Sequence, residues 1–394
     1  MTPISTPNRL TLAFMQWGWL TPAFLPLAQV LGRGMFNTLS ALYFLWALAA
    51  LPALRAPLGR AVREPFFLIY ALMLVIWALS LTMAIDPTKG LETLARYIQF
   101  SLTGLFTLLV LRSGPERPAQ LVHALALGAV FTLAVLYVQL PYYVWGTSFN
   151  PTLQLREDNL PWLLPLLLAG LVASPRARWL AAGLALAVGF YIVLSQGRAA
   201  LAAFVVALAA FAALGLGLRK RTLAVTIILV LAVGIFASDR FFRDIEHLSL
   251  DFATLDIFTS GRATIWYQAW HMPPENPWLG VGIGNVSLYH AVLQINDLTV
   301  KHLHNFLFDA WFETGWLGLT ALIGLIGIVY VHLARNWHHL DAPTRRIAAA
   351  AIAASLAILV AGLFSFSYTS RQFALYLYLL FALMLSLPGQ PRPS

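Results

Sequence analysis

Several windows of about 20 residues in this chain carry no charged side chain, and that feature constrains its fold more than any other. An α-helix rises ~1.5 Å per residue, so about 20 apolar residues cross the ~30 Å hydrocarbon core of a bilayer. No water reaches that core, so each span must satisfy its own backbone N–H and C=O groups, as a helix does. Only 10% of the 394 residues are charged and 60% are hydrophobic, whereas soluble globular chains are about 25% charged. The chain is expected to be an all-α polytopic membrane protein forming one integrated bundle.

Twelve apolar spans are read near residues 10–30, 36–54, 65–84, 91–111, 119–140, 159–173, 178–195, 199–217, 222–238, 315–334, 345–366 and 371–387. The first ends without a small-residue cleavage site and reads as a retained anchor. An even number of spans puts both termini on one side. Positive charge crowds the loops of that side: Arg55, Arg60 and Arg63; Arg112 and Arg117; Arg176 and Arg178; Arg219, Lys220 and Arg221; Arg335, Arg345 and Arg346. The positive-inside bias makes those loops, and both termini, cytoplasmic. Opposite short loops hold one or two cations each, among them Arg33, Lys89, Arg156, Arg198 and Arg371. The chain then divides into nine spans over 1–238, a long outer loop over 239–314, and three spans with a short tail over 315–394. Loop topology also accounts for the formal charge of +9 without nucleic acid. The absence of cysteine excludes disulfide and thiolate chemistry.

The long loop concentrates the polar chemistry. Its acidic first part (Asp239, Asp244, Glu246, Asp251, Asp256) reads as solvated helix faces, and without a DxD-type spacing it indicates no divalent metal. Arg198 opens the eighth span on the outer face, a site the helix dipole disfavours for a cation. An anion there would meet both the guanidinium and the free N–H groups of the first turn. Arg371, opening the twelfth span, follows the same logic. Arg262, Trp266 and Trp270 fall at i, i+4 and i+8 on one helical face, which suits an interfacial helix presenting Arg262 to a lipid-linked anion. Gly280-Val281-Gly282-Ile283-Gly284 follows no strand and lacks nucleotide-loop spacing, so it reads as tight turning between helices. His304 opens an apolar helix, where a neutral ring able to accept a proton is favoured. His302, two residues away, forms a His-x-His pair but has no third metal ligand at a recognisable spacing.

These motifs together resemble the O-antigen ligase and O-antigen polymerase superfamily of bacterial envelope glycosyltransferases. The resemblance runs through Ser195-Gln196-Gly197-Arg198, then Ser260-Gly261-Arg262 with Trp266, then Pro277-Trp278-Leu279-Gly280-Val281-Gly282-Ile283-Gly284. It ends in His304-Asn305 and Glu313-Thr314-Gly315, with Asp158-Asn159 as a weaker element. It implies a GT-C-like fold in the inner membrane and metal- and cofactor-independent chemistry on the periplasmic face. The donor would be undecaprenyl-pyrophosphate-linked O-antigen and the acceptor the lipid A–core oligosaccharide. His304 would be the base, Arg198 and Arg262 would stabilise the leaving pyrophosphate, and Asn305, Arg371 and Asn159 would bind substrate. The ligase is the favoured member, with a polymerase or a protein O-oligosaccharyltransferase as alternatives.

A transporter of lipid-linked sugars is the rival of a different class. It would place charges near the bilayer midplane and build on internal repeats. No matching repeat is evident, and the notable charges gather at the outer boundary; Arg96, inside the fourth span, is the exception.

Overall fold

A computed structural model of the chain describes residues 9–145, 160–171, 177–194, 197–216, 261–289 and 301–387, with isolated positions 252, 256 and 259. Its helices, numbered as they occur among these residues, are α1 (Arg9–Trp17), α2 (Leu20–Leu31), α3 (Arg33–Ala50), α4 (Arg55–Ala61), α5 (Pro65–Ser80), α6 (Pro87–Leu111) and α7 (Arg117–Trp145). They continue with α8 (Leu160–Leu171), α9 (Ala177–Leu194), α10 (Arg198–Gly215), α11 (Arg262–His271), α12 (Phe306–Asn336), α13 (Ala342–Gly362) and α14 (Arg371–Ser386). Seven helical stretches among the described residues are long and apolar enough to cross a membrane, and four apolar helices are shorter. The first expected span is two helices, α1 and α2, and the expected ninth, 222–238, lies outside the described residues.

The centre of the bundle is α14. Every residue from Phe373 to Ser386 is buried, as expected of a helix apolar on all sides. It packs most extensively on α6, while α10 lies along α13 and α5 along α12. Close approach comes from small side chains. In α13, Ala348–Ala351, Ala353 and Ala354 are fully buried, and α10 meets them with its own alanines; in a membrane, such small faces let van der Waals packing hold helices together. A Cβ on Gly215 at the end of α10 would lie 3.3 Å from Ala349 near the start of α13, so these two helices run antiparallel.

Antiparallel packing sorts the connections to two ends. At one, Arg112 forks onto Glu64 with N–O distances of 2.5 and 3.0 Å and also donates to the Leu385 carbonyl. That end gathers the arginine-bearing connections before α5, after α6 and after α12. At the other end lie residues 275–289 and the His302–Asn305 turn.

Gly104 sets the contact between α6 and α14. A Cβ there would stand 2.6 Å from the Leu379 nitrogen and 2.7 Å from the Leu375 oxygen, backbone atoms that cannot move aside cheaply. Gly104→Val is expected to lower stability by at least ~1–3 kcal/mol, the usual cost of overpacking. Gly34→Val, where nothing lies within 4 Å, should change it far less. Thermal unfolding of the two purified variants checks the difference.

Candidate active site

The glycine-rich run is a chain of turns, as its sequence suggested. Gly280, Gly282 and Gly284 all take left-handed backbone, with φ of 69°, 89° and 76°. The loop is fastened on both sides. Ile283 donates its amide to Ser80 Oγ at 3.2 Å, and Asn285 Oδ1 accepts from the Asp86 amide at 2.8 Å. On the opposite side the loop engages a break in α12. Gly315 sits there at φ 65°, ψ −170°, which releases the next amides from the helical ladder. Trp316 donates instead to the Pro277 carbonyl at 2.9 Å and Leu317 to Trp278 at 3.3 Å. A Cβ on Gly315 would lie 2.2 Å from the Trp278 carbonyl, so no other residue fits.

Two buried carboxylates on α12, one turn apart, tie the loops to the bundle. Glu313 Oε1 accepts from the Val286 amide at 3.3 Å and the Gly284 amide also reaches the carboxylate; Oε2 accepts from the Tyr368 hydroxyl at 2.8 Å. Asp309, with no exposed surface, takes the Leu303 amide at 2.7 Å through Oδ1. Its other oxygen stands 3.9 Å from His302 Nδ1. The sequence reading passed over both as functional residues. The signal was present, since two acids at i and i+4 in an apolar helix are costly unless they have fixed work.

The His304 turn differs from expectation in one respect. The helix opens at Phe306, and Asn305 is its N-cap, its Oδ1 accepting from the amides of Leu307 and Phe308 at 3.0 and 3.2 Å. A side-chain oxygen that satisfies two amides of the first turn fixes the boundary one residue beyond His304. His304 therefore precedes the helix, and it alone of the described non-glycine residues has positive φ, at 55°. Its amide donates to His302 Nδ1 at 3.1 Å, and the two rings lie 4.2 Å apart.

Arg262 begins α11 as its spacing suggested. The cap is local: Asp256 Oδ1 accepts from the Thr264 amide at 2.7 Å and Thr259 Oγ1 from the Ala263 amide at 2.9 Å. Asp256 thus caps a helix, which corrects its reading as a solvated face; the other four acids of that stretch lie outside the described residues. Trp266 joins α11 to the histidine turn, donating Nε1–H to the Leu303 carbonyl at 2.9 Å. Its ring packs on Phe308 and Phe364, and Trp270 packs on Trp311.

The other candidates fall as follows. Arg198 opens α10, half-buried, and the antiparallel pairing of α10 with α13 puts it at the same end as Gly362 and Phe364. Phe306 against Phe373, with centroids 5.2 Å apart, brings the start of α14 to that end too. Arg371 stands there over the Phe100 ring at 5.9 Å, within electrostatic range of Arg96 and Arg33. The sequence did not foretell that these three arginines, from three helices, would meet. Asn159 lies outside the described residues. A cavity of about 500 Å³ opens beside the glycine loop, lined by Met83, Glu275, Trp278 and Tyr289 among others. His304, Arg198 and Arg262 are not part of its wall.

A bundle of apolar helices closed at one end by buried, hydrogen-bonded loops carrying histidine and arginine is a polytopic membrane protein with polar groups gathered at one end of the bundle. Residues 181–323 match the family described as O-Antigen ligase, which supports membership of the O-antigen ligase superfamily and points to an enzyme of the ligase or polymerase type. The matched stretch holds Arg198, Arg262, His304, Asp309 and Glu313. No curated protein matches the chain.

The Asp309 carboxylate is expected to fix the histidine turn. Asp309→Ala should strip the Leu303 amide of its acceptor, at ~1–3 kcal/mol for a buried donor left unpaired. Amide exchange at Leu303 should then accelerate by roughly tenfold or more at that cost, which hydrogen exchange read by mass spectrometry over residues 301–308 detects. Unchanged protection there would show that the turn holds without it.

Proposed function

We propose that this protein transfers O-antigen from undecaprenyl pyrophosphate to the lipid A–core oligosaccharide at the periplasmic face of the bacterial inner membrane. The observation that carries the reading is the Trp266 hydrogen bond to Leu303. It holds the Arg262 helix against the His304 turn within the stretch that matches the O-antigen ligase family. The crowding of arginine-bearing connections at the opposite end supports a cytoplasmic assignment for that end and for both termini.

The reaction is one displacement. A hydroxyl of the acceptor sugar attacks the anomeric carbon of the donor, and His304 takes the hydroxyl proton. The new C–O bond forms as the bond to the pyrophosphate oxygen breaks, with inversion at carbon. Undecaprenyl pyrophosphate leaves with both electrons of that bond, and Arg198 and Arg262 hold the charge that grows on it. Arg371, with Arg96 and Arg33 beside it, adds positive potential at the same end, Asn305 offers its Nδ2 to a glycan hydroxyl, and Asn159 adds a substrate contact. No step needs a metal or an enzyme carboxylate as nucleophile.

The decisive experiment places purified protein in nanodiscs with lipid-linked glycan and lipid A–core acceptor and looks for the joined product. Glycan lengthened on the undecaprenyl carrier, with the acceptor untouched, would mean polymerisation; no transfer of either kind would overturn the reading. In that assay His304→Ala should reduce the rate by at least ~10²-fold, the low end for loss of a general base, while the protein still inserts and binds donor. Arg262→Lys should slow transfer by about 10–100-fold, the equivalent of one charge-assisted hydrogen bond. EDTA should leave activity intact; its loss would revive a metal role for His302 and His304.

A further inference from the structure

The end of the bundle away from His304 carries a second polar site that glycan transfer does not use. A cavity of about 750 Å³ opens there, bounded by Arg60 and Glu64 ahead of α5, Arg112 at the end of α6, and His332 and Arg335 on the last turns of α12. The 31 residues of α12 separate it from the histidine turn. At ~1.5 Å per residue that is about 45 Å, the full depth of a membrane, so the two sites are independent.

Charge in this cavity is unbalanced in a particular way. Glu64 is the one carboxylate among its lining residues, and both of its oxygens are taken by the Arg112 fork. Arg60 and Arg335 at the rim therefore have no acidic counterpart within the lining. Apart from Ser113, Asn336 and Ser386, the remaining wall is apolar, with Phe66, Leu109, Ile328 and Val331 among its residues, a surface of no use to a free inorganic anion.

We infer that this cavity binds the phosphodiester headgroup of an anionic phospholipid, with Arg60 and Arg335 on the phosphate oxygens and the acyl chains along the apolar side chains of the wall. A membrane leaflet supplies such a ligand without a dedicated entry route. The inference stands whether or not the opposite face transfers glycan.

Native mass spectrometry of the detergent-purified protein tests it, with phosphatidylglycerol and phosphatidylcholine of matched chains as probes. One retained phosphatidylglycerol is expected, preferred over phosphatidylcholine by about tenfold, in keeping with two arginines at a lipid surface. The double variant Arg60→Gln/Arg335→Gln should lose that preference. Both side chains are exposed, so the fold should survive their change. The control double variant Arg55→Gln/Arg63→Gln removes two exposed arginines outside the cavity lining and should retain the preference. Equal retention of the two lipids, or equal loss in both double variants, would overturn the inference. Displacement of the bound lipid by millimolar inorganic phosphate would also overturn it and assign the cavity to a free anion.

Discussion

Two carboxylates one helical turn apart, Asp309 and Glu313, hold the loop-bearing end of this molecule together. Removing a carboxylate from water costs several kcal/mol unless fixed donors replace the lost solvation. Here the donors are backbone amides of two irregular loops, Leu303 for Asp309 and Val286 for Glu313. Each loop therefore completes the helix as much as the helix supports the loop. Glu313 extends the linkage downward: Tyr368 donates to it and packs on Trp77, and Trp77 packs on Tyr97. A column of buried aromatic rings thus connects the polar end with the core around α14.

Gly315 makes a second exchange of the same kind. A straight α12 would satisfy its own amides and leave the Pro277 and Trp278 carbonyls without the Trp316 and Leu317 donors. The break at Gly315 frees two amides where Pro277 and Trp278 need donors. Irregular backbone is tolerated here because every departure from the helix is matched by one in the loop. The match also fixes register, since sliding the loop by one residue would put a Cβ at the Gly280 position, where it would lie 2.5 Å from the Phe312 carbonyl oxygen.

Sequence reading recovered what depends on local pattern. The all-helical membrane class, the turn character of the glycine run and the helical phase of Arg262, Trp266 and Trp270 follow from apolar run length, missing side chains and a 3.6-residue period. The start of α12 was read at His304, two residues early, although the cap rule applied to Asn305 would have placed it at Phe306. Asp309 and Glu313 were visible as acids in an apolar stretch, but their work depends on amides supplied by other segments, one of them 27 residues away. No local period predicts such pairings. The meeting of Arg33, Arg96 and Arg371 is hidden for the same reason, because three helices must pack before it exists. Asp158-Asn159, Ser195-Gln196 and Ser260, all parts of the resemblance, lie outside the described residues.

His304 shows why that scaffold matters to chemistry. A left-handed histidine costs on the order of 1–3 kcal/mol, and such a conformation persists only where neighbours over-determine it. The neighbours here are specific: Asp309 holds the preceding amide, Trp266 holds the preceding carbonyl, His302 takes the residue's own N–H, and Asn305 begins the helix immediately after it. Four constraints on three consecutive residues leave the backbone no alternative path. An ordinary helical start would satisfy the same amides without strain, so the geometry is not a by-product of ending a loop. It holds the imidazole at a fixed point at the end of the bundle where the Arg262 helix docks, a condition that the proposed role of His304 as a base sets.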